Sequence, residues 1–312
     1  MKRWMSALAL AAVTLVPAQA AELVRIGFQK GGGLALMLKK QGTLERALAP
    51  KGISVSWVEF PAGPQMLEAM NAGSVDFGAT GAPPPIFSQA AGADLVYVGA
   101  EPPPVSSEAI IVKSGSPIRS VADLRGKRVA FQRGSGSHLL LAAALERAGL
   151  GMRDVQAIYL PPSEARAAFE AGAIDAWVVW DPYLAAAQQA YRPRVIADRS
   201  GLLPAYGFYL APRRLVQRAP DTVATILEQF AAAGQWSNTH QKDMIEMMAP
   251  QVGVSKDVIA TWLGRAHAGT MPVTAEIAAS QQKVADLLYR EKVIPRPVSI
   301  AGQVWEWKRK SQ

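Results

Sequence analysis

The sequence predicts an α/β protein with two similar lobes, each built on a mostly parallel β-sheet flanked by helices. The first observation behind this prediction is a duplicated pattern. The segment 25–31 (RIGFQKG) returns as 128–134 (RVAFQRG), an offset of 103 residues. The segment 72–76 (AGSVD) returns as 171–175 (AGAID), an offset of 99 residues. Two further observations are the alternation of strand-like and helix-like runs in each copy and the length of 312 residues, which suits about two domains.

The first copy contains four expected strands and three expected helices. Gly73 follows the second helix as a stop signal, since glycine readily adopts the left-handed conformation that ends many helices. The strands are expected at 23–28, 55–60, 75–79 and 95–99, and the helices at 34–40, 65–72 and 84–91.

The second copy repeats this alternation, and a mainly helical segment follows it from Arg213 onward. Ligands of open α/β sheets bind beyond the carboxyl ends of the strands, so two such lobes facing each other predict a cleft lined from both sides. Strands are expected at 109–112, 128–131, 155–160 and 174–180, and helices at 137–148, 163–171, 182–191, 221–236, 244–248, 256–265 and 274–289.

The first twenty residues have the pattern of a secretory signal peptide. Lys2 and Arg3 precede a mostly apolar run at 4–16, and the small-x-small triplet 18–20 (AQA) predicts cleavage after Ala20. The alternative, a membrane anchor, is disfavoured because the run is too short to span a bilayer comfortably. An exported, periplasmic protein is expected, without a lipid anchor because the chain has no cysteine. Loss of Lys2 and Arg3 lowers the formal charge from +8 to +6.

Composition excludes several classes of site. The chain has no cysteine and three histidines, which removes disulfides, cysteine nucleophiles and zinc-cysteine or iron–sulfur sites and disfavours a histidine metal cage. No metal and no cofactor are therefore expected. The basic residues are scattered, apart from the tail 308–310, and form no stripe with aromatic residues, so no nucleic-acid partner is expected. A modest positive field attracts small anions.

Two equivalent loops are candidates for anion binding. The segments 29–33 (QKGGG) and 134–138 (GSGSH) each follow an expected strand and precede a helix. Glycines let backbone N–H groups approach a ligand, and a helix N-terminus carries about half a positive charge. Neither loop matches Walker A or a dinucleotide fingerprint, and the alternative is simple turn geometry. The candidate contacts here are Gln29, Lys30, Gly31, Ser135, Gly136, Ser137 and His138.

A second symmetric pair of loops supplies the remaining candidates. Thr80 can donate to an anion or cap the next helix, and Gly81 permits close approach of the backbone. Ala82 follows them in the same loop. Trp180 offers a flat apolar wall for an alkyl or aryl tail, with a core position as the alternative. Asp181 is either a helix cap or a ligand contact.

The sequence contains no arrangement of residues typical of an enzyme active site, and no catalytic residue is expected. Ser137 and His138 are adjacent in sequence, a spacing that rarely places a nucleophile and its base correctly, and G-x-S-x-G is absent. Asp76 and Asp175 occupy equivalent turns and are expected to be structural. Glu101 is placed either at the mouth of the cleft or in a solvated loop.

Several of these segments resemble the periplasmic aliphatic-sulfonate-binding proteins of ABC importers, whose neighbours take up taurine, nitrate and thiamine precursors. The resemblance covers nearly all of the chain after the signal peptide and weakens after about Ala211. The segments that carry it are 28–30 (FQK), 57–69 (WVEFPAGPQMLEA), 89–99 (QAAGADLVYVG), 129–132 (VAFQ), 134–138 (GSGSH), 175–177 (DAW) and 180–183 (WDPY).

The resemblance implies a two-lobed, type II periplasmic binding protein of the Venus-flytrap kind. It implies one lobe from 21–105 plus 211–312 and a second from 106–210, with crossovers near 105–108 and 205–211. It also implies a small organic sulfonate as ligand, an ABC permease with its ATPase as partners, and a monomer. The anion contacts that it implies, with Trp180 against the tail, are Gln29, Gly31, Gly81, Ala82, Ser135, Ser137 and His138. Ala82 departs from the family pattern, which has an acidic or hydroxyl residue there, and 83–85 is a run of three prolines.

Three alternative interpretations remain, one with a different ligand on the same binding-protein fold and two with a different class of protein. The same scaffold could carry taurine, nitrate, sulfate or another small anion, although the apolar wall expected around Trp180 favours an organic tail. An enzyme of the related thiamine-pyrimidine synthase group would need a cysteine-bearing motif, which this chain lacks. An effector domain of a transcription factor would need a DNA-binding helical domain, which is also absent.

Overall fold

The computed structural model describes residues 22–29, 32–103, 106–265 and 268–307. Two five-stranded sheets flanked by helices form the molecule, so the expected α/β class is confirmed. The expected signal peptide lies outside the described residues. The strands are β1 (Glu22–Gln29), β2 (Ile53–Phe60), β3 (Phe77–Thr80), β4 (Leu95–Glu101), β5 (Glu108–Val112), β6 (Arg128–Phe131), β7 (Gln156–Tyr159), β8 (Ala176–Trp180), β9 (Arg194–Asp198) and β10 (Gly207–Pro212).

The two sheets have equivalent topologies. The first has the order β2-β1-β3-β10-β4 and the second β7-β6-β8-β5-β9. In each, three parallel strands come from one copy of the duplicated pattern, and the fourth position holds an antiparallel strand. The chain passes from the first sheet to the second between β4 and β5 and returns between β9 and β10.

Helices cover both faces of each sheet. The C-terminal helices return to the first lobe, where Phe230 packs against Phe77 and Tyr209 of the sheet. Among the described residues no helix is both long and apolar enough to span a membrane. The helices are α1 (Gly33–Gln41), α2 (Thr43–Leu48), α3 (Gly63–Asn71), α4 (Pro83–Ala90), α5 (Gly136–Arg147), α6 (Pro162–Ala171), α7 (Tyr183–Tyr191), α8 (Arg213–Arg218), α9 (Pro220–Thr239), α10 (Gln241–Val252), α11 (Lys256–Leu263) and α12 (Ala275–Arg290).

Four elements were not expected from the sequence: α2, α8, β9 and β10. The most consequential is β10, because it pairs with β3 and β4 of the first sheet. The chain therefore leaves the second sheet after Asp198 and enters the first sheet at Gly207, whereas the return crossing was expected at 205–211. A short apolar run such as 207–212 has no periodicity that separates a strand from a connection, so only its pairing decides.

The duplicated motif residues form matching ion pairs. Arg25 at the start of the first motif donates from its backbone N–H and from Nε to Asp76 Oδ2, at 3.0 and 2.7 Å. Arg128 makes the same contacts to Asp175, at 2.8 and 3.2 Å. Each pair ties a central strand to the turn that precedes its neighbour, so the structural role expected for both aspartates agrees with their contacts.

Asp76→Ala and Asp175→Ala are each expected to lower the free energy of unfolding by about 1–3 kcal/mol, because each leaves an arginine and a backbone N–H without an acceptor. Asp94→Ala is the control, since Asp94 also pairs with an arginine but is 70% exposed, and it should cost at most about 1 kcal/mol. Urea unfolding measures all three. Equal losses in the three variants would contradict the role assigned to the paired motif.

The Asp175 contribution is expected to depend on pH. Hydrogen bonds from Arg128 hold the pKa of Asp175 below its ordinary value of 3.8. An acid with a lower pKa in the folded state stabilises the fold above pH 3.8, and this stabilisation is lost as the pH falls through the folded-state pKa. The difference in unfolding free energy between the wild type and Asp175→Ala should therefore shrink below pH 3.8.

Candidate ligand-binding cleft

A cleft of about 300 Å³ lies between the two lobes, at the carboxyl ends of β1, β3, β6 and β8. This is the position expected from the topology of open α/β sheets. Eight candidate residues from the sequence line it: Gln29, Thr80, Gly81, Ala82, Ser135, Gly136, Trp180 and Asp181. Lys30 and Gly31 lie outside the described residues.

The first lobe presents backbone donors at the start of α1. Gly32 precedes this helix, and within the described residues no side chain caps its first turn. The N–H groups of Gly33, Leu34 and Ala35 therefore have no partner inside the helix, and all three residues line the cleft. Gln29 joins the end of β1 to β3, since its Nε2 donates to the Ala79 carbonyl at 3.1 Å. This helix start can accept an anion.

The start of α4 offers fewer donors than an ordinary helix. Pro83, Pro84 and Pro85 occupy its first turn, and none of them has a backbone N–H. Gly81 and Ala82 supply the remaining N–H groups on this side of the cleft. In the first lobe, the backbone donors that line the cleft are therefore those of α1 and of these two residues.

In the second lobe, the start of α5 offers backbone donors to the cleft but no free side-chain hydroxyl. Ser135 Oγ donates to the Gln132 carbonyl at 2.7 Å, and Ser137 Oγ donates to Glu108 Oε1 at 3.1 Å. Both hydroxyls are thus engaged inside the protein. Gly136, at the first position of this uncapped turn, lines the cleft, so its backbone N–H remains for a ligand, whereas Ser137 is fully buried.

His138 lies in the interior and not on the cleft. Its Nδ1 accepts from the Gly134 N–H at 3.2 Å, and its ring lies 4.9 Å from that of Phe131. Burial, followed by the charge of Arg133, lowers the pKa of His138 to about 4, so the ring is neutral at pH 7. The side chains of Ser137 and His138, expected as contacts, therefore support the loop instead of lining the site, because α5 turns both inward.

An arginine in the cleft was not expected from the sequence. Arg199, in the return crossing, lines the site and donates to Glu108 at 2.6 Å, and both side chains are only 8% exposed. Its second contact, at 3.0 Å, is the Gly136 carbonyl at the start of α5. No motif surrounds Arg199, so its role depends on a partner distant in the sequence.

Asp181 combines a helix contact with an ion pair. Its Oδ1 accepts from the Ala185 N–H at 2.9 Å near the start of α7, in keeping with the cap alternative. Arg265, which follows α11 of the other lobe, lies 3.3 Å away. Burial raises the pKa of Asp181 to about 6, against the opposing effects of Arg265 and the Ala185 N–H. The ion pair joins the two lobes across the cleft.

The apolar part of the cleft is larger than the sequence indicated. Trp180 is half-buried and lines the cleft, so it is accessible to a ligand. The C-terminal helices supply a further part of the apolar wall, and their contribution had no sequence signal. Those additional apolar residues are Phe230, Met244, Trp262 and Leu263.

Comparisons with known proteins agree with this geometry. The family model described as NMT1/THI5 like matches residues 48–243. The alkanesulfonate-binding protein SsuA from Xanthomonas axonopodis pv. citri, bound to MOPS, superposes with a TM-score of 0.86 at 41% identity, covering 92% of this chain and 99% of that chain. The periplasmic aliphatic sulphonate binding protein SsuA from Escherichia coli gives a TM-score of 0.82 at 44% identity, over 93% and 94% of the two chains.

A more distant relative is the taurine-binding periplasmic protein of Escherichia coli (strain K12), which is 24% identical over 88% of this chain and 87% of that protein. The relatives above 40% identity are binding proteins and not enzymes, as the sequence predicted. The periplasmic binding protein fold is thereby confirmed. The chain belongs to the family of aliphatic-sulfonate-binding proteins, within the wider NMT1/THI5-like group.

Proposed function

We propose that this protein captures aliphatic sulfonates in the cleft between its lobes and delivers them to an ABC permease and its ATPase. In this proposal the chain is exported to the periplasm, is cleaved after Ala20 and acts as a monomer. Its first lobe comprises 22–103 and 207–307, and its second lobe begins at 106. Taurine, nitrate or another small anion is the alternative ligand on the same scaffold, and the taurine-binding relative supports keeping it.

The observation that carries the proposal is the pairing of two uncapped helix starts with one apolar wall. Backbone N–H groups at the starts of α1 and α5 meet in a single cleft that continues toward Trp180 and Trp262. A sulfonate is a permanent monoanion with three acceptor oxygens, and charge-assisted hydrogen bonds are about twice as strong as neutral ones. Arg199 is already paired with Glu108, so the neutral donors carry the anion.

A ligand bound by both lobes favours their closed arrangement, because only that arrangement makes both sets of contacts. The Asp181–Arg265 pair and the 2.9 Å hydrogen bond from Ser255 to Gln189 also join the lobes. Small-angle scattering should show a smaller radius of gyration at saturating pentanesulfonate. An unchanged radius would exclude this mechanism.

Isothermal titration calorimetry in Tris buffer, with pentanesulfonate, taurine, sulfate and nitrate, tests the ligand class. We expect pentanesulfonate to bind with a micromolar or lower dissociation constant, which corresponds to a binding free energy of about −8 kcal/mol or one more negative. Preferential binding of an inorganic anion would leave the transport role but exclude sulfonates as ligands.

Trp180→Ala should weaken pentanesulfonate binding by about tenfold or more, because it removes apolar surface that the alkyl chain covers. Binding of methanesulfonate, which lacks that chain, should change by less than about threefold. Trp305→Ala is a control for loss of a tryptophan outside the cleft lining. Equal losses for both sulfonates at Trp180→Ala would place the tail elsewhere.

A further inference from the structure

The cleft is lined by three carboxylates, of which two are neutralised by arginines. Glu108 pairs with Arg199 at 2.6 Å, and Asp181 pairs with Arg265 at 3.3 Å. The third is Glu101, and among the described residues no lysine or arginine nitrogen lies within 4 Å of its carboxylate. Glu101 is thus the one carboxylate of the cleft that has no lysine or arginine partner among the described residues.

The Glu101 carboxylate is held in one orientation. Its Oε1 accepts from the hydroxyl of Tyr209 at 2.7 Å, and that hydroxyl also lies 3.1 Å from Thr270 Oγ1. Within the described part of the chain no donor reaches Oε2. Oε2 lies 2.6 Å from the point where a Cβ on Gly207 would stand, so the glycine leaves room for it. Burial raises the pKa of Glu101, outweighing the hydrogen bond from Tyr209.

Glu101 lies at the same edge of the first sheet as the proposed anion donors Gly81 and Ala82, two strands away from them. It ends β4, whereas Thr80 ends β3, and β10 runs between them. Neighbouring strands are about 4.8 Å apart, so the two strand ends are separated by roughly 10 Å. A sulfonate held at Gly81 and Ala82 and followed by a short alkyl spacer would bring its far end to Glu101.

We propose that Glu101 is a specificity-determining residue that selects sulfonates carrying an ammonium group at the far end of a short chain. This inference rests on the proposed function and names its substrate class. An ammonium can donate to Oε2 and neutralise the carboxylate in a charge-assisted hydrogen bond. A plain alkyl end leaves a desolvated carboxylate unpaired, so its binding requires that Glu101 take up a proton.

The test compares 3-aminopropanesulfonate with butanesulfonate, which has a methyl group in place of the ammonium. Calorimetry on the wild type and on Glu101→Gln measures the ratio of their dissociation constants. We expect Glu101→Gln to weaken 3-aminopropanesulfonate at least tenfold without weakening butanesulfonate. Glu68→Gln, an exposed residue of α3, makes the same charge change outside the cleft and should leave the ratio unchanged. A ratio unchanged by Glu101→Gln overturns the inference.

A measurement on the wild type alone serves if the variant does not fold. Titrations at pH 8 in Tris and in bicine, whose ionisation enthalpies differ, count the protons exchanged on binding. Butanesulfonate should take up close to one proton more than 3-aminopropanesulfonate. Equal proton counts overturn the inference but leave the proposed function intact, since both sulfonates bind. Failure of both sulfonates to bind, with tight binding of sulfate or nitrate, overturns the proposed function itself.

Discussion

Replacing Gly81 by aspartate is expected to abolish sulfonate binding while the fold keeps its stability. Gly81 follows β3 and lines the cleft, and a Cβ added there meets no heavy atom within 4 Å. Its backbone does not lie in the left-handed region that favours glycine. A carboxylate at this position fits the fold but faces the site of the anion. Like-charge contact costs several kcal/mol, so the affinity should fall by about 100-fold or more.

Calorimetry with pentanesulfonate and thermal unfolding measure the two effects separately. Gly81→Ala should reduce binding far less, because it adds bulk without charge. Gly115→Asp is a matched control, since Gly115 is exposed in the second lobe and a Cβ there also meets nothing within 4 Å. Wild-type affinity in Gly81→Asp would show that the anion does not lie at the end of β3.

Arg199→Met is expected to lower the free energy of unfolding by about 3–5 kcal/mol. The arginine and Glu108 are both nearly inaccessible to water, so removing one partner leaves a buried carboxylate uncompensated. The variant also leaves the Gly136 carbonyl without its 3.0 Å donor at the start of α5. Sulfonate affinity should fall too, because in the proposed binding mode the first turn of α5 contacts the anion in the second lobe.

Chemical unfolding in urea measures the loss in Arg199→Met. Adding Glu108→Met should recover most of it, because the uncompensated charge then disappears. Arg166→Met is the control: Arg166 pairs with Glu170 on α6, both are more than 40% exposed, and such pairs contribute about 0–1 kcal/mol. A similar loss in the two single variants would contradict the view that Arg199 neutralises a desolvated carboxylate.

Sequence pattern alone located the two lobes and the loops of the cleft. The motif at 25–31 placed β1 within one residue of its observed bounds, and its copy at 128–134 placed β6 at its observed bounds. Both signals are local: a short apolar run followed by glycines contains the strand and the turn that follows it. The same locality made the structural roles of Asp76 and Asp175 predictable, since each recurs at a fixed place in the repeat.

Tertiary structure decided which side chains face the ligand. Ser137 and His138 stand beside a glycine loop in the sequence, yet helix α5 turns both inward, and only backbone groups of that turn remain for an anion. The direction of a side chain at a helix start depends on what the helix packs against. For Ser137 that partner is Glu108, which precedes it by 29 residues.

The charges of the cleft also depended on the tertiary structure. Arg199 follows Glu108 by 91 residues, and Arg265 follows Asp181 by 84. Neither arginine belongs to a sequence motif. Each one meets its carboxylate partner only because of the order of the strands and the return of the C-terminal helices to the first lobe. The duplicated sequence pattern was enough to predict where the cleft lies. The charges and the apolar wall of the cleft followed only from the assembled fold, because both arise from residues that become neighbours only after the two sheets have formed.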